Sequence, residues 1–295
     1  MTHGLLIIDK DAGWTSHDVV ARVRRLIGQR RVGHAGTLDP MATGVLVLCL
    51  GRATRLAEYL QGHRKRYQAT IRLGEVTDTY DLEGEVIERH PVPSLSEEEL
   101  TSHLRAFQGT ITQRPPAYSA VKVDGVPAYR RARRGEVVAL PPRQVTIYEI
   151  RLSRWEPPEL SLEIECSAGT YIRSLAHDLG QAIGCGAHLI ALRRTASGPF
   201  TLADAISLSE LERLVEDGRW RERVLPLVEA VKDMPKITLS PQAESAVRFG
   251  QPIPGPKAEE GTIAAGLSQS GDLIAILRFD AERELWRPHK VLGVS

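Results

Sequence analysis

The sequence predicts a mixed α/β protein in which a larger helix-and-sheet unit precedes a small β-rich one, on three observations. Strand patterns recur as short apolar or alternating runs at Gly4 to Lys10, Tyr67 to Leu73, Arg143 to Leu152 and Leu160 to Cys166. Helical spacing with start signals falls between them, after Thr15-Ser16 and after Ser96. From about residue 236 the chain turns rich in Gly and Pro, with brief apolar stretches such as Asp272 to Leu277 and Trp286 to Val294. Met234-Pro235 makes the expected linker, dividing the chain into residues 1–233 and 234–295.

Composition narrows the class. The 295 residues are 42% hydrophobic and 25% charged, ordinary for a globular chain able to bury a sizeable core. No apolar run approaches the roughly 20 residues that span a bilayer. Met1-Thr2-His3-Gly4 lacks the basic flank and apolar region of a signal peptide, so a cytoplasmic protein is expected. The three cysteines, Cys49, Cys166 and Cys185, have no paired metal-ligand spacing and read as small buried apolar residues. No metal is expected. The absence of a long exposed apolar stripe points to a monomer.

The formal net charge of +1 hides a segregation. Residues 1–72 hold twelve Lys or Arg against five Asp or Glu, an excess of +7, and residues 114–134 hold six against one, an excess of +5. Acid collects at Glu97-Glu98-Glu99 and beyond Glu210. Such local excess is either a phosphate-binding surface or a solvated basic face.

In chain order, the Gly4 to Lys10 strand closes in the turn Asp11-Ala12-Gly13, and Thr15 or Ser16 caps a helix with Val19, Val20, Val23, Leu26 and Ile27 on one face. Arg22, Arg24 and Arg25 lie on the other, with Arg30 and Arg31 following. The loop Gly33 to Gly44 comes next, with one carboxylate, Asp39, fixed in direction by Pro40. Asp39 either faces a ligand or caps a turn with Pro40 at its first position. A short helix around Thr54 to Gln61 precedes the strand of Tyr67, Ala69, Ile71 and Leu73, and the cations Arg64, Lys65 and Arg66 stand before Tyr67. Tyr67 is either core or a ring that stacks on a base. The acids of Thr77 to Gly84 lack the positions of a calcium-binding loop and read as turn caps. Ser96 and Glu99 form a capping box. Tyr129 to Gly135, with Arg130, Arg131, Arg133 and Arg134, is a phosphate-binding insert or a solvated helix. Arg173 falls near the start of a helix, where the dipole gives a cation no benefit, so a nearby anion is expected. His188 and Cys185 read as packing residues.

Several of these motifs, in this order, resemble the TruB family, the tRNA pseudouridine-55 synthases, over nearly the whole chain. The Gly33 to Gly44 loop is similar to the family's catalytic motif, which makes Asp39 the essential residue. The turn from Lys10 to Ser16 resembles the opening motif and adds Lys10 to the RNA-contact candidates. Lys65-Arg66-Tyr67-Gln68-Ala69 matches a Lys-x-Tyr-x-Ala pattern whose tyrosine lies against the target base, and Thr77 to Gly84 resembles a motif that supports the site. By the same resemblance Arg173 forms a salt bridge with Asp39, Tyr171 belongs to the site, Leu192 packs against the target nucleotide and His34 fills the gap left by the flipped base or supports the displaced bases, its alternative reading being a histidine that hydrogen-bonds its own loop. The Arg130 to Arg134 segment resembles the RNA-contacting segment. The resemblance implies a catalytic domain around a largely antiparallel sheet and a PUA-like barrel after it. It implies conversion of one uridine in the T-arm of tRNA to pseudouridine, with no cofactor. An RNA chaperone sharing the basic faces is the alternative reading, and a glycosidase would need a second carboxylate that the loop does not offer.

Overall fold

The computed structural model describes residues 1–292 apart from 120, 121, 124, 129, 130, 132, 133, 135 and 137–139. The insert arginines Arg130 and Arg133 therefore lie outside the described residues. Strand β1 (Gly4–Lys10) leads into helix α1 (Ser16–Leu26), then β2 (Val32–His34), the Asp39 loop and β3 (Thr43–Leu50). A 3-10 turn and α2 (Ala57–Gln61) precede β4 (Lys65–Leu73), the hairpin β5 (Glu75–Thr77) and β6 (Val86–Arg89), α3 (Glu97–Arg105) and β7 (Gly109–Gln113). A small ribbon, β8 (Lys122–Val123) with β9 (Val126–Pro127), is followed by β10 (Arg143–Glu156), β11 (Glu159–Cys166), α4 (Ile172–Ile183), β12 (Ala187–Ser197), β13 (Phe200–Thr201) and α5 (Leu208–Glu216).

The large sheet runs β1-β3-β12-β4-β11-β10-β7, with β2 beside β3 and β13 beside β12. Every pairing in it is antiparallel except β3 with β12, where Arg193 faces Thr43 and Arg194 faces Gly44. At this junction Gly44 has φ +100°, and a Cβ there would lie 2.2 Å from the Arg194 carbonyl oxygen, so only glycine lets the strands meet.

The unbroken apolar character of β1 and β3 has a physical cause: both faces are buried. Leu6, Ile8, Leu46, Leu48 and Leu50 join the core under Val19, Val20, Val23, Leu175, Leu179 and Leu211 of the helices. Leu5, Ile7, Val45, Val47 and Cys49 enter a second core, shared with Ala265, Leu273, Ile276 and Leu292 near the C-terminus. The strands further out alternate. In β4 the inward set is Lys65, Tyr67, Ala69, Ile71 and Leu73, and in β11 it is Leu160, Leu162, Ile164 and Cys166.

Thr15 is the cap of α1, closing a capping box with Asp18. Ser16, the other candidate, is buried and bonds Leu38 across the chain, its hydroxyl accepting from the Leu38 N–H at 2.9 Å and lying 3.1 Å from the Leu38 carbonyl. The start of α1 is thereby tied to the Asp39 loop.

The C-terminal unit is α6 (Pro241–Arg248) with β14 (Lys236–Thr238), β15 (Ile263–Leu267), β16 (Leu273–Asp280) and β17 (Leu285–Val291), in the order β14-β15-β16-β17. Where a small barrel is expected, the described strands form an open sheet. The reason is that β16 is apolar on both sides: Ile274, Leu277 and Phe279 pack with Val247, Ile253 and Trp286 of its own unit, whereas Leu273 and Ile276 pack on the β1/β3 side of the large sheet. Arg52 donates from Nη1 to the Leu292 carbonyl at 3.0 Å across the same contact.

Candidate active site

Asp39 sits on the loop between β2 and β3. Its carboxylate faces Arg173 instead of capping its own turn, which is closed by the Ala42 N–H donating to the Asp39 carbonyl at 3.1 Å. Arg173 Nε lies 2.9 Å from Asp39 Oδ2, and Nη1 lies 3.2 Å from Asp81 Oδ2. The guanidinium also donates to the carbonyls of Tyr118 at 2.9 Å and Thr79 at 3.3 Å. Arg173 is therefore a buried bridge between two carboxylates. Asp81 is itself pinned, its Oδ1 accepting from the Thr79 hydroxyl at 2.6 Å and the Glu83 N–H at 3.1 Å. The side chain of Asp39 retains 31% exposure against 3% for Asp81, so only Asp39 is open to a ligand.

Lys10 is fully buried beneath the loop. Its ammonium donates to the carbonyls of Trp14 at 2.7 Å, Asp11 at 2.9 Å and Pro40 at 3.2 Å, a clamp across the base of the Asp39 turn. Burial pushes it down to about 8, with Asp39 and Asp11 opposing. On the other side, Arg194 is 1% exposed and uses its fork on three carbonyls: Val45 at 2.7 Å, Gly36 at 3.1 Å and Thr37 at 3.2 Å. The loop is thus held from both ends by buried cations.

Between these elements opens a cleft of about 400 Å³, lined by His34, Asp39, Lys65, Tyr67, Tyr171 and Leu192 among others. Tyr67 and Leu192 come from neighbouring strands two residue pairs apart, since Tyr67 faces Arg194 and Ala69 faces Leu192. Tyr171 caps α4, its N–H donating to Gln113 Oε1 at 2.8 Å while Gln113 Nε2 returns a bond to its carbonyl at 2.9 Å. The Arg143 guanidinium lies 4.7 Å from the Tyr171 ring centroid. His34 stands edge-on to His17 with ring centroids 5.2 Å apart, and burial pushes it down to about 4, so it is neutral at physiological pH. Burial raises the Tyr67 phenol, opposed by Arg194.

At Asp39 several influences compete, with Lys10 the smallest of them and lowering. Burial raises its carboxyl above the ordinary value of 3.8, Arg173 pulls it down and Asp81 pushes it further up, with a net rise. A raised acid keeps its proton to a higher pH, so the reactive carboxylate is lost on acidification sooner than a free aspartate would lose it. The acid limb of kcat/KM is expected above pH 3.8, and Asp81→Asn is expected to move it downward; a pH–rate series on both proteins checks this.

Comparison with known proteins decides the family. A profile described as "TruB family pseudouridylate synthase (N terminal domain)" matches residues 24–172, and one described as "tRNA pseudouridylate synthase B C-terminal domain" matches 173–232. The chain is 54% identical over 239 residues to the tRNA pseudouridine synthase B of Thermobifida fusca, covering 78% of this chain and 79% of that one. It is 46% identical over 291 residues to the protein of that name from an Arthrobacter species, covering 94% and 93%. The chain belongs to the TruB family of pseudouridylate synthases. Among solved structures, a chain of a Cbf5-Nop10-Gar1 complex superposes with a TM-score of 0.78 at 29% identity, covering 99% of this TruB-family chain and 85% of its own.

The site of this TruB-family member gathers Asp39, His34, Tyr67, Tyr171, Arg173 and Leu192 around one cleft. Among the described residues it does not bring in Lys10, Arg131 or Arg134. Lys10 lies under the loop with its ammonium committed to protein carbonyls. Arg131 pairs with Glu136 at 2.7 Å, and Arg134 is exposed. Three further participants emerge from the geometry. Asp81 sits among several acids of one turn-rich loop, and nothing in the sequence separates it from them. Lys65 and Arg194 carried a usable signal: each is an ionisable residue alternating with buried apolar neighbours on its strand, Ala69 and Ile71 beyond Tyr67 for Lys65, and Leu192 and Ala196 on either side of Arg194.

Proposed function

We propose that this chain converts uridine 55 in the T-arm of tRNA to pseudouridine, acting as a monomer in the cytoplasm, where its substrate resides. Isomerisation of tRNA uridine is the activity that the named relatives carry. The observation that carries it to this chain is the Asp39 carboxylate, 2.9 Å from a buried arginine that Asp81 fixes from behind, at a cleft wide enough for one nucleotide. Asp39 is the single carboxylate lining that cleft among the described residues, which disfavours hydrolysis by a carboxylate pair. A chaperone has no use for so fixed a carboxylate.

The target base lies stacked in a folded arm and must leave it, at a few kcal/mol of lost stacking. Neutral His34, which lines the cleft, takes the space the base vacates. The Tyr67 ring lies against the uracil, with Leu192 packed beside the nucleotide. Arg173 aims Asp39 at C1′, where positive charge develops as the bond to N1 breaks, and the carboxylate meets that charge. The uracil turns, C5 bonds to C1′, the C5 proton leaves and N1 gains one. Nothing is oxidised or consumed. The PUA-like assignment of residues 234–295 belongs to the same proposal.

Position is tested with full-length tRNA transcripts carrying C5-tritiated uridine. Replacing uridine 55 by cytidine should abolish tritium release while leaving other uridines in place. Release that persists undiminished would move the reaction to another uridine.

A further inference from the structure

Lys65 opens β4 and points inward on the same face as Tyr67, yet it is only 6% exposed. Its ammonium donates to the carbonyls of His63 at 2.6 Å and Gln61 at 3.2 Å. An ammonium has three N–H donors, so one remains beyond these two bonds, and Lys65 lines the cleft. Its neighbour there is another cation. A Cβ placed on Gly36 would be 3.8 Å from both Lys65 Cε and Arg194 Nη1. Among the described residues the ionisable groups acting on Lys65 are Arg194 from β12 and the Cys166 thiol facing it from β11, and no carboxylate is among them. His63 precedes it and Tyr67 follows on the same strand. Burial, then Arg194, pushes the ammonium down to about 8.

Two buried cations side by side without a carboxylate are costly unless an anion arrives. Arg194 commits three of its five N–H donors to Val45, Thr37 and Gly36 and is 1% exposed, so Lys65, at 6%, is the more accessible of the two cations to that anion. The identity of the anion follows from depth. A phosphate stays with the RNA chain at the cleft mouth, whereas the extruded base is the part that reaches the wall beside Tyr67. The base is neutral in the substrate and becomes anionic only during reaction: the N1–C1′ bond breaks with its electron pair going to N1, and the charge spreads to O2 and O4.

We propose that Lys65 is a catalytic residue of the isomerisation, donating its remaining N–H to a uracil carbonyl oxygen as the glycosidic bond breaks. The contact strengthens as negative charge develops, so it favours the transition state over the bound substrate. Lys65 keeps its protons throughout. The C5 proton is released and N1 is protonated independently of it. The inference rests on the pseudouridine reading above and assigns a residue to it.

The test is single-turnover tritium release from a C5-labelled T-arm stem-loop by the parent, Lys65→Met and Lys65→Arg, each across pH 6 to 10. Affinity is measured for the same stem-loop with each protein carrying Asp39→Asn, so that no turnover intervenes. Lys65→Met should release tritium about 10²-fold more slowly, the effect of removing one oxyanion donor. Its Kd should stay within about three-fold, because the lost contact forms after binding. The parent rate should fall as pH passes about 8, and Lys65→Arg should lose less of the rate than Lys65→Met and hold what it keeps to higher pH. Weakened binding with an intact rate would overturn the proposal in favour of a phosphate contact, and an unchanged rate would overturn it outright. If Lys65→Met does not fold, a parent profile flat through pH 8 to 10 overturns it equally. Absence of release by the parent would instead count against the pseudouridine reading, so the two failures are distinct.

Discussion

Asp39→Asn is expected to lose tritium release by about 10⁴-fold or more while folding and binding RNA as the parent does. The substitution is isosteric. The introduced amide oxygen can still face Arg173 Nε at the present 2.9 Å, and Arg173 keeps Asp81, Thr79 and Tyr118 as partners. What disappears is the negative charge facing C1′. The cations Lys65, Arg143 and Arg194 remain in the cleft, so affinity for a T-arm stem-loop should change by no more than a few-fold. Stopped-time release assays and filter binding on one preparation check both halves. A variant that binds and still turns over within ten-fold of the parent would remove Asp39 from the chemistry.

Arg173→Met carries the largest expected effect on stability. It deletes the cation between two carboxylates, leaving Asp81 buried at 3% side-chain exposure with no opposite charge at ion-pair distance among the described residues, and Asp39 near it. Breaking a buried pair from one side costs about 3–5 kcal/mol. For a chain of this size that lowers Tm by roughly 10 °C. Activity should fall at least about 10²-fold as well, because Asp39 loses its aim and its carboxyl rises further. The double variant Arg173→Met, Asp81→Asn separates the effects. Neutralising Asp81 should return most of the lost Tm and little of the activity. Thermal melts showing no recovery would mean that Arg173 stabilises through the carbonyls of Thr79 and Tyr118 instead of the charge pair.

Much of the architecture was legible because burial writes itself into periodicity. The continuous apolar runs of β1 and β3 reflect two buried faces, and the alternation in β4 and β11 reflects one inward face. The Thr15 and Ser96 capping boxes follow from residue types at fixed spacing. Sheet order was not legible. Nothing local in β12 announces that it lies between β3 and β4, and that placement brings Leu192 and Arg194 to the cleft. The open C-terminal sheet was missed for a related reason: the apolar residues of β16 look the same whether they close a barrel or cover a neighbouring unit.

The site divided in the same way. The placement of Arg173 against the helix dipole was a local anomaly that called for an anion, and two are there. Lys10 showed the limit of reading charge from sequence, since a lysine after an apolar strand looks like a surface cation and is in fact a buried clamp on three carbonyls. Asp81 required the fold.

Isomerisation at the Asp39 site is tested most directly by release of tritium from C5 of the T-arm uridine, since forming the C5–C1′ bond expels that hydrogen. The intact protein should release one tritium per stem-loop, and Asp39→Asn none. Tight binding of the stem-loop and of full-length tRNA by the intact protein, with no release from either, would contradict it.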